Sequence, residues 1–318
     1  LFSIFFGEGF GSGIFDNKGY LIFSVFGETA YSDKELTSGI FYMENETVIG
    51  FIGAGNMAYA LINGLLNNGY DSKNIKASDP NDELLRKREV ELNIATFANN
   101  SSLVEVCDII VFAVKPQVLS EVCLELRDNI KSKHLFISIV AGIRVNDINR
   151  WLGGNYSLVR TMPNTPALMQ RGVTGLFPNE LVNDEQKALV TTILSSVGDC
   201  FWVNEEKLID AITAISGSGP AYFFLLMQSM TQAGVALGLD EKTAQELSVQ
   251  TGFGASLMAT KSGKSPRTLR TNVTSPNGTT QAAIECFQDQ NFEGIVASAT
   301  RAAFDRAREL SNELGDVE

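Results

Sequence analysis

Histidine is nearly absent from this sequence, which has one, His134, among 318 residues. A single histidine excludes a metal site built from several histidines and argues against a serine–histidine–aspartate triad. Basic residues are also scarce, since 25 lysines and arginines oppose 37 acidic residues and leave a formal net charge of −12. This balance predicts no broad surface for nucleic acid or anionic membranes, while a local pocket for a phosphate remains compatible with it.

Cysteines and long apolar runs are scarce as well. The four cysteines are far apart and form no CxxC pair, which predicts reduced, mostly packed thiols in a cytoplasmic protein. No run of about 18 or more apolar residues occurs, so the sequence predicts no membrane-spanning segment. With 44% hydrophobic and 19% charged residues, the composition indicates a globular chain, and the length predicts about two domains.

The first 42 residues differ from the rest of the chain. They are dense in phenylalanine and glycine, they show no lasting helix or strand period, and they lack the basic start of a signal peptide. Met43 stands directly before a strongly patterned segment. We expect Met43 to be the natural start and residues 1–42 to be a non-native or unstructured extension.

From Thr47 onward, short apolar runs alternate with helical stretches. Runs that are almost continuously apolar are typical of parallel strands covered on both faces, and the alternation predicts a doubly wound α/β sheet. The predicted strands are residues 47–52, 75–78, 108–114, 135–140 and 157–162, with residues 173–177 and 200–203 extending the same sheet. Residues 58–67 and 116–131 are typical of crossover helices.

After residue 203 the strand signals stop. Residues 221–237 are apolar on nearly all sides, which predicts a helix buried in a bundle or against a second subunit, with Gly238 as its cap. Residues 241–259, 280–289 and 292–314 are also predicted to be helical. We therefore expect a sheet domain over residues 43–203 and an all-helical domain over residues 204–318.

A glycine-rich segment follows the first strand of this sheet and opens its first helix. In Gly53-Ala54-Gly55-Asn56-Met57-Ala58, the first glycine permits a tight turn and Gly55 allows the backbone to approach a pyrophosphate. Ala58 allows close packing of the helix on the strand. The amino end of the helix then faces the anion. This pattern predicts a bound NAD(P) cofactor.

The end of the second strand bears on the choice between NADH and NADPH. Asp79 can accept a hydrogen bond from a ribose 2′-hydroxyl and would repel a 2′-phosphate, but it is also placed to cap the next helix. Ser78 can instead donate to a 2′-phosphate, and no arginine follows directly. Arg86 and Lys87 are expected on a solvated helix face. Both cofactors stay open.

Four further segments supply neutral hydrogen-bond donors but no obvious acid–base pair. Each by itself is typical of a turn or a helix cap. They are AVKPQ at residues 113–117, RTMPNTPA at 160–167, SGSGPAY at 216–222 and VTSPNGTT at 273–280.

With these motifs the sequence resembles the Δ1-pyrroline-5-carboxylate reductase family, whose members reduce a cyclic imine to L-proline with NADPH or NADH. The resemblance runs from about Met43 to the last residue. It implies a Rossmann-like cofactor domain and an all-helical domain that interleaves with a partner in a homodimer, often within a higher homo-oligomer. Where the family usually has two glycines, this chain has Asn277-Gly278. Because asparagine tolerates left-handed backbone angles, we expect the turn to survive.

The resemblance also assigns the site residues. The substrate carboxylate would be held by the turn at Ser275 and Gly278, which Thr279 continues, and Thr280 would be the catalytic residue that hydrogen-bonds the ring nitrogen. By the same resemblance, Lys115, Pro116 and Ala141 would lie near the nicotinamide, with Gly53, Asn56, Met57 and Ser78 around the rest of the cofactor. The residue patterns add Gly55, Asp79 and Ala113 to the predicted cofactor residues.

Two other functions compete with this prediction. A β-hydroxyacid dehydrogenase-like enzyme shares the two-domain plan but generally relies on a lysine early in the second domain, and residues 211–241 contain none. A non-catalytic NAD(P)-binding regulator would need the glycine-rich segment but not the four further motifs.

Overall fold

The computed structural model describes residues 13–15, 21–23 and 47–315. Strands β1 (Gly13–Phe15) and β2 (Leu21–Phe23) form an antiparallel pair. The remainder of the expected extension, and the expected start at Met43, lie outside the described residues.

The predicted doubly wound α/β sheet is confirmed. Eight strands pair in the order β10-β9-β8-β7-β6-β3-β4-β5, and from β5 to β8 this is the 3-2-1-4-5-6 arrangement of a Rossmann-like sheet. All neighbours are parallel except β8 and β9, which are antiparallel. The strands are β3 (Ile49–Ile52), β4 (Ile75–Ser78), β5 (Ala95–Phe97), β6 (Ile109–Phe112), β7 (Leu135–Ser138), β8 (Ser157–Met162), β9 (Gly172–Pro178) and β10 (Gly198–Trp202).

Two strand features were not predicted. β5 is a three-residue edge strand whose side chains are only partly buried, so it shows no continuous apolar run. β9 runs antiparallel because residues 163–171, which join it to β8, hold only a short 3-10 turn (Thr165–Met169) and are too few for a crossover helix.

The helices occupy the regions between and after these strands. The predicted helix over residues 116–131 is shorter in the structure, because a 3-10 turn (Pro116–Val118) precedes it. The helices are α1 (Asn56–Asn67), α2 (Asp82–Leu92), α3 (Asn100–Glu105), α4 (Leu119–Leu126), α5 (Val145–Leu152), α6 (Asp184–Ser195), α7 (Leu208–Ile212), α8 (Gly219–Ala236), α9 (Glu241–Lys261), α10 (Pro266–Asn272), α11 (Thr279–Asp289) and α12 (Phe292–Gly315). A π-helical turn (Thr213–Gly217) joins α7 to α8.

The apolar strands are buried on both faces, as their composition predicts. Ile49 and Phe51 of β3 belong to one hydrophobic cluster, and Ile52 belongs to a second cluster on the opposite face. Phe112 and Phe136 are fully buried in the second cluster, with their rings stacked at 5.5 Å. Burial of each such side chain stabilises the fold by about 1.5–3 kcal/mol, so the sheet is the rigid platform on which its loops are placed.

The chain divides into two compact units. The first contains the sheet, residues up to Gly217 and the end of α12 from Phe304, and the second contains the helices of residues 218–303. The expected domain boundary at residues 203/204 stays a prediction. Gly238 follows the end of α8 with φ +102°, as expected for a helix-ending glycine.

Helix α8 is apolar but largely exposed within this chain. Phe223, Phe224 and Leu225 each expose more than half of their surface. Among the described residues, Leu208–Ala236 is the one stretch long and apolar enough to cross a membrane. An 18-residue part of it has a mean hydropathy of 1.3 and is 22% buried. It contains polar residues, so a search for unbroken apolar runs does not find it. The sequence predicts that this helix is buried either in a bundle or against a second subunit. Its exposure within one chain favours the second subunit.

Candidate active site

The glycine-rich turn between β3 and α1 is held between the ends of two neighbouring strands. Gly53 has φ +100°, and its N–H donates to the carbonyl of Ser78 at 2.8 Å. A Cβ atom on Gly53 would lie 2.5 Å from the carbonyl oxygen of Ala113. The turn therefore needs glycine at this position, and it lies where the strand order reverses, between β3 and β6, the crevice in which open α/β sheets bind ligands.

Gly55 is a glycine for a different reason. Its φ of −66° is open to any residue, and an added Cβ would meet no protein atom within 4 Å. Gly55 is the N-cap of α1, where no side chain caps the helix and no acidic residue lies in the first turn. The N–H groups at Asn56 and Met57 are thus presented to an anion in open space, which fits the pyrophosphate of NAD(P)H.

Asp79 is hydrogen-bonded to the glycine-rich turn. Its Oδ2 accepts a hydrogen bond from the Ala54 N–H and its Oδ1 accepts one from the Asn81 N–H, both at 2.9 Å. The possibility that Asp79 caps the next helix is wrong, because Asn81 is the N-cap of α2 and accepts from Glu83 and Leu84. The Asp79 carboxylate lies instead beside the turn, at the carboxyl end of β4.

Ser78 is buried at the end of β4. Its hydroxyl donates to Oδ1 of Asn100 at 2.8 Å. The hydroxyl hydrogen therefore already has an acceptor within the protein.

Arg88 is a functional neighbour that sequence reasoning missed. Its buried guanidinium donates through Nε to the Ala54 carbonyl at 3.1 Å, pairs with Glu91 at 2.8 Å and lies 4.4 Å from the ring centre of Tyr59. It supports the glycine-rich turn from α2. In the run Arg86-Lys87-Arg88 nothing distinguishes it from its neighbours, which are exposed as expected.

The residues expected near the nicotinamide lie at the carboxyl ends of β6 and β7. Ala113 follows β6 and its N–H donates to the Ile52 carbonyl at 2.8 Å. Lys115 is exposed and precedes the 3-10 turn that Pro116 opens. Ala141 is exposed after β7. Since β3, β4, β6 and β7 are parallel neighbours, the structure brings all the predicted cofactor residues to one edge of the sheet.

The turn containing Ala141 is supported by the end of α12. Its second residue, Gly142, has φ +78°, and an added Cβ would lie 3.2 Å from the Leu314 side chain. Arg144 donates to Asn312 at 2.6 Å. No sequence pattern links these residues, because more than 160 positions separate Arg144 from Asn312.

Arg160 of the RTMPNTPA segment belongs to a buried ion network. Its guanidinium contacts Glu206 at 3.2 Å and Asp210 at 3.0 Å, and Glu206 also accepts from the Val145 N–H at 2.8 Å. All its partners are protein groups that join β8, α5 and α7. Arg160 therefore stabilises the framework of the sheet unit.

Asn164 joins two of the sequence motifs. Its Nδ2 donates to the carbonyl of Ser216 at 2.9 Å, and its Oδ1 accepts from the Val173 N–H at 2.9 Å. The RTMPNTPA and SGSGPAY segments thus meet through one buried amide.

The predicted substrate residues lie together in one turn of the helical unit. Asn277 has φ +58°, so the expectation that it tolerates the left-handed region is confirmed. The Gly278 N–H donates to the Ser275 carbonyl at 3.0 Å, and Gly278 is the N-cap of α11. Thr279 and Thr280 begin the first turn of this helix. No side chain caps this helix end, and its first turn contains no acidic residue. Such an end is suited to a carboxylate.

His134 lies away from the predicted cofactor residues of the sheet unit. It precedes β7 at the amino-terminal edge of the sheet, where its Nδ1 accepts from the Lys131 N–H at 3.1 Å. Burial, together with nearby Lys133 and Lys131, lowers its pKa below the ordinary value. The predicted cofactor residues at the opposite edge of the sheet include no histidine.

Two family models match the chain. One, described as pyrroline-5-carboxylate reductase dimerisation, matches residues 206–310. The other, described as NADP oxidoreductase, coenzyme F420-dependent, matches residues 48–142. The first match covers most of the helical region, and the second covers strands β3 to β7 with the helices between them.

Curated relatives and solved structures agree with these matches. A pyrroline-5-carboxylate reductase from Pseudomonas aeruginosa is 48% identical over 84% of this chain and 98% of that protein. One from Arabidopsis thaliana is 35% identical over 83% of this chain and 95% of that protein. The structure of a pyrroline-5-carboxylate reductase from Coxiella burnetii has a TM-score of 0.80 at 40% identity, covering 84% of this chain and 99% of that one. The Plasmodium falciparum pyrroline carboxylate reductase with NADP bound has a TM-score of 0.75 at 31% identity, covering 84% and 99%.

Proposed function

The chain belongs to the pyrroline-5-carboxylate reductase family, and we propose that its two open helix ends divide the binding of cofactor and substrate between them. It is an NAD(P)H-dependent oxidoreductase that reduces 1-pyrroline-5-carboxylate to L-proline by hydride transfer, the last step of proline biosynthesis. The family membership removes the need for the dehydrogenase-like and non-catalytic alternatives.

The cofactor half of the proposal rests on the open space at Gly55. There the N–H groups of Asn56 and Met57 bind the pyrophosphate, while Gly53 keeps the turn close to the strand ends. Ser78 and Asp79 lie at the adenosine ribose. The nicotinamide is placed against Ala113, Lys115, Pro116 and Ala141, and when bound it supplies the hydride.

The substrate half rests on the first turn of α11. Ser275, Gly278 and Thr279 hold the carboxylate through backbone N–H and hydroxyl groups, because this helix end carries no competing acid. Thr280 hydrogen-bonds the ring nitrogen. An imine of this kind is basic enough to be protonated readily, so orientation beside the cofactor is the larger contribution, and no histidine is required.

The decisive experiment follows the absorbance of the reduced cofactor. Purified protein is mixed with pyrroline-5-carboxylate and either NADH or NADPH, and L-proline is measured as the product. We expect oxidation of the cofactor with matching formation of proline. No oxidation with either cofactor, by protein that is folded, would contradict the function.

We also propose that the enzyme is cytoplasmic and forms a homodimer or a higher homo-oligomer. The exposed apolar face of α8 lies within the residues that match the dimerisation model. A monomer that exposed Phe223, Phe224 and Leu225 to water would carry an unusually large apolar patch, which a second copy of the chain would cover.

A further inference from the structure

The carboxylate of Asp79 has a defined position at the cofactor edge. Hydrogen bonds from Ala54 and Asn81, both 2.9 Å long, engage one oxygen each, so the group cannot rotate away without losing both. A carboxylate has about four lone-pair sites, so each oxygen can still accept a further hydrogen bond. Asp79 is half-buried, which leaves it accessible to a ligand on the open side of the turn.

The residues after Asp79 add negative charge and no cation. Pro80 has no N–H to offer, and the side chain of Asn81 is committed to capping α2. Asp82 and Glu83 are exposed in the first turn of the same helix. The amino end of α2 would otherwise attract a phosphate, but it is already compensated by its own acids.

The cations of α2 do not offset this charge. Arg88 is buried and bound to Ala54 and Glu91 on the inner side of the turn. Arg86 and Lys87 are exposed further along the helix, and Lys87 lies 3.8 Å from Glu91. Over residues 79–83, which form the β4–α2 connection and the first two residues of α2, every charged side chain is acidic.

We propose that Asp79 makes this chain prefer NADH over NADPH. The proposal rests on the cofactor site described under Proposed function. The ribose 2′-hydroxyl of NADH donates to the fixed carboxylate, whereas the 2′-phosphate of NADPH carries close to two negative charges and is repelled by it. Asp82 and Glu83 add to the repulsion. Asp79 acts on the adenosine end of the cofactor and takes no part in hydride transfer.

The test measures cofactor binding without substrate. NADH and NADPH are titrated into the wild type, Asp79→Asn and Asp184→Asn by calorimetry. We expect the wild type to bind NADH roughly tenfold or more tightly than NADPH. Asp79→Asn keeps a side-chain oxygen for the Ala54 N–H and should lose most of this preference. Asp184→Asn is the control, since Asp184 is an exposed acid in the first turn of α6 and should leave the ratio unchanged.

A second measurement uses the unaltered protein, so that it stands even if Asp79→Asn fails to fold. Raising the salt concentration from roughly 0.02 to 0.5 M screens the repulsion and should narrow the difference between the two dissociation constants. A wild type that binds NADPH as tightly as NADH, or a preference that Asp79→Asn and salt leave unchanged, would overturn the proposal. Folded protein that binds neither cofactor would contradict the proposed cofactor site itself.

Discussion

The carbonyl oxygen of Ala113 lies 2.5 Å from the position that a Cβ atom on Gly53 would occupy. Gly55 lies two residues further along the chain, and a Cβ atom added to it would meet no protein atom within 4 Å. The two glycines of one motif therefore differ: the protein's own backbone requires Gly53, whereas no protein atom requires Gly55, which we propose leaves room for a ligand.

This contrast predicts different outcomes for two otherwise identical substitutions. Gly53→Ala should destabilise the fold, by about 1–3 kcal/mol from left-handed strain alone and more from the clash with Ala113. Gly55→Ala should keep the unfolding midpoint but weaken cofactor binding. Thermal unfolding and NADH titration measure the two effects. If Gly55→Ala bound cofactor normally, the pyrophosphate would not lie at this turn.

Substitutions of Thr280 test whether this residue positions the imine or donates a proton to it. Thr280→Ala should lower kcat by roughly 10- to 100-fold without abolishing turnover, because the imine is still held through its carboxylate. Thr280→Ser keeps the hydroxyl and serves as the matched variant, with activity close to that of the wild type. Complete loss of turnover by folded Thr280→Ala would indicate an essential proton donor instead.

Replacing Arg160 should cause a large loss of stability, because this side chain belongs to a buried ion network. Arg160→Met leaves the buried Asp210 without its cation and should lower the free energy of unfolding by about 3–5 kcal/mol. Lys187→Met is the control, because its pair with Asp184 is exposed and should contribute less than about 1 kcal/mol. Urea unfolding at neutral pH compares the two. Equal effects would contradict a structural role for Arg160.

We expect the stability of the fold to depend on pH through His134. Because burial lowers the pKa of folded His134 below its unfolded value, the neutral form is favoured by folding. Its stabilising contribution is present above about pH 6.5 and is lost as the pH falls through the folded pKa. His134→Gln cannot titrate, so the stability gap between wild type and variant should narrow below about pH 6.5. A gap that widens in acid would show that folding favours the imidazolium.

If α8 lies in a subunit interface, substitutions at two exposed apolar positions should affect the molecular mass in solution differently. Leu225→Glu on α8 places a charge in the proposed dimer interface and should shift the protein towards monomers in light scattering. Val90→Glu on α2 changes a still more exposed apolar residue, which lies in the sheet unit, and should leave the mass unchanged. A dimer that persists in Leu225→Glu would place the interface elsewhere.

Much of the candidate site could be recognised from local patterns. The glycine-rich segment after β3, the strands that end at Ser78 and near Ala113, and the turn at Asn277 are each specified by residues close together in the chain. Such features can be recognised in the sequence because backbone sterics and strand burial depend on a few neighbouring residues. Asn277 is the clearest case, since its ability to adopt φ +58° follows from its side chain alone.

Contacts between distant segments were decided only by the tertiary structure. Arg88 looks like its exposed neighbours in the sequence, yet it supports the glycine-rich turn, and Arg160 is neutralised by carboxylates some 46 and 50 positions away. The partners of a charged side chain depend on which strands and helices meet in space. The near-absence of histidine, by contrast, is a matter of composition: the sequence by itself excluded a metal site built from several histidines. Which carboxylate lies beside the glycine-rich turn was determined by the fold, because only packing brings Asp79 against the turn at Ala54.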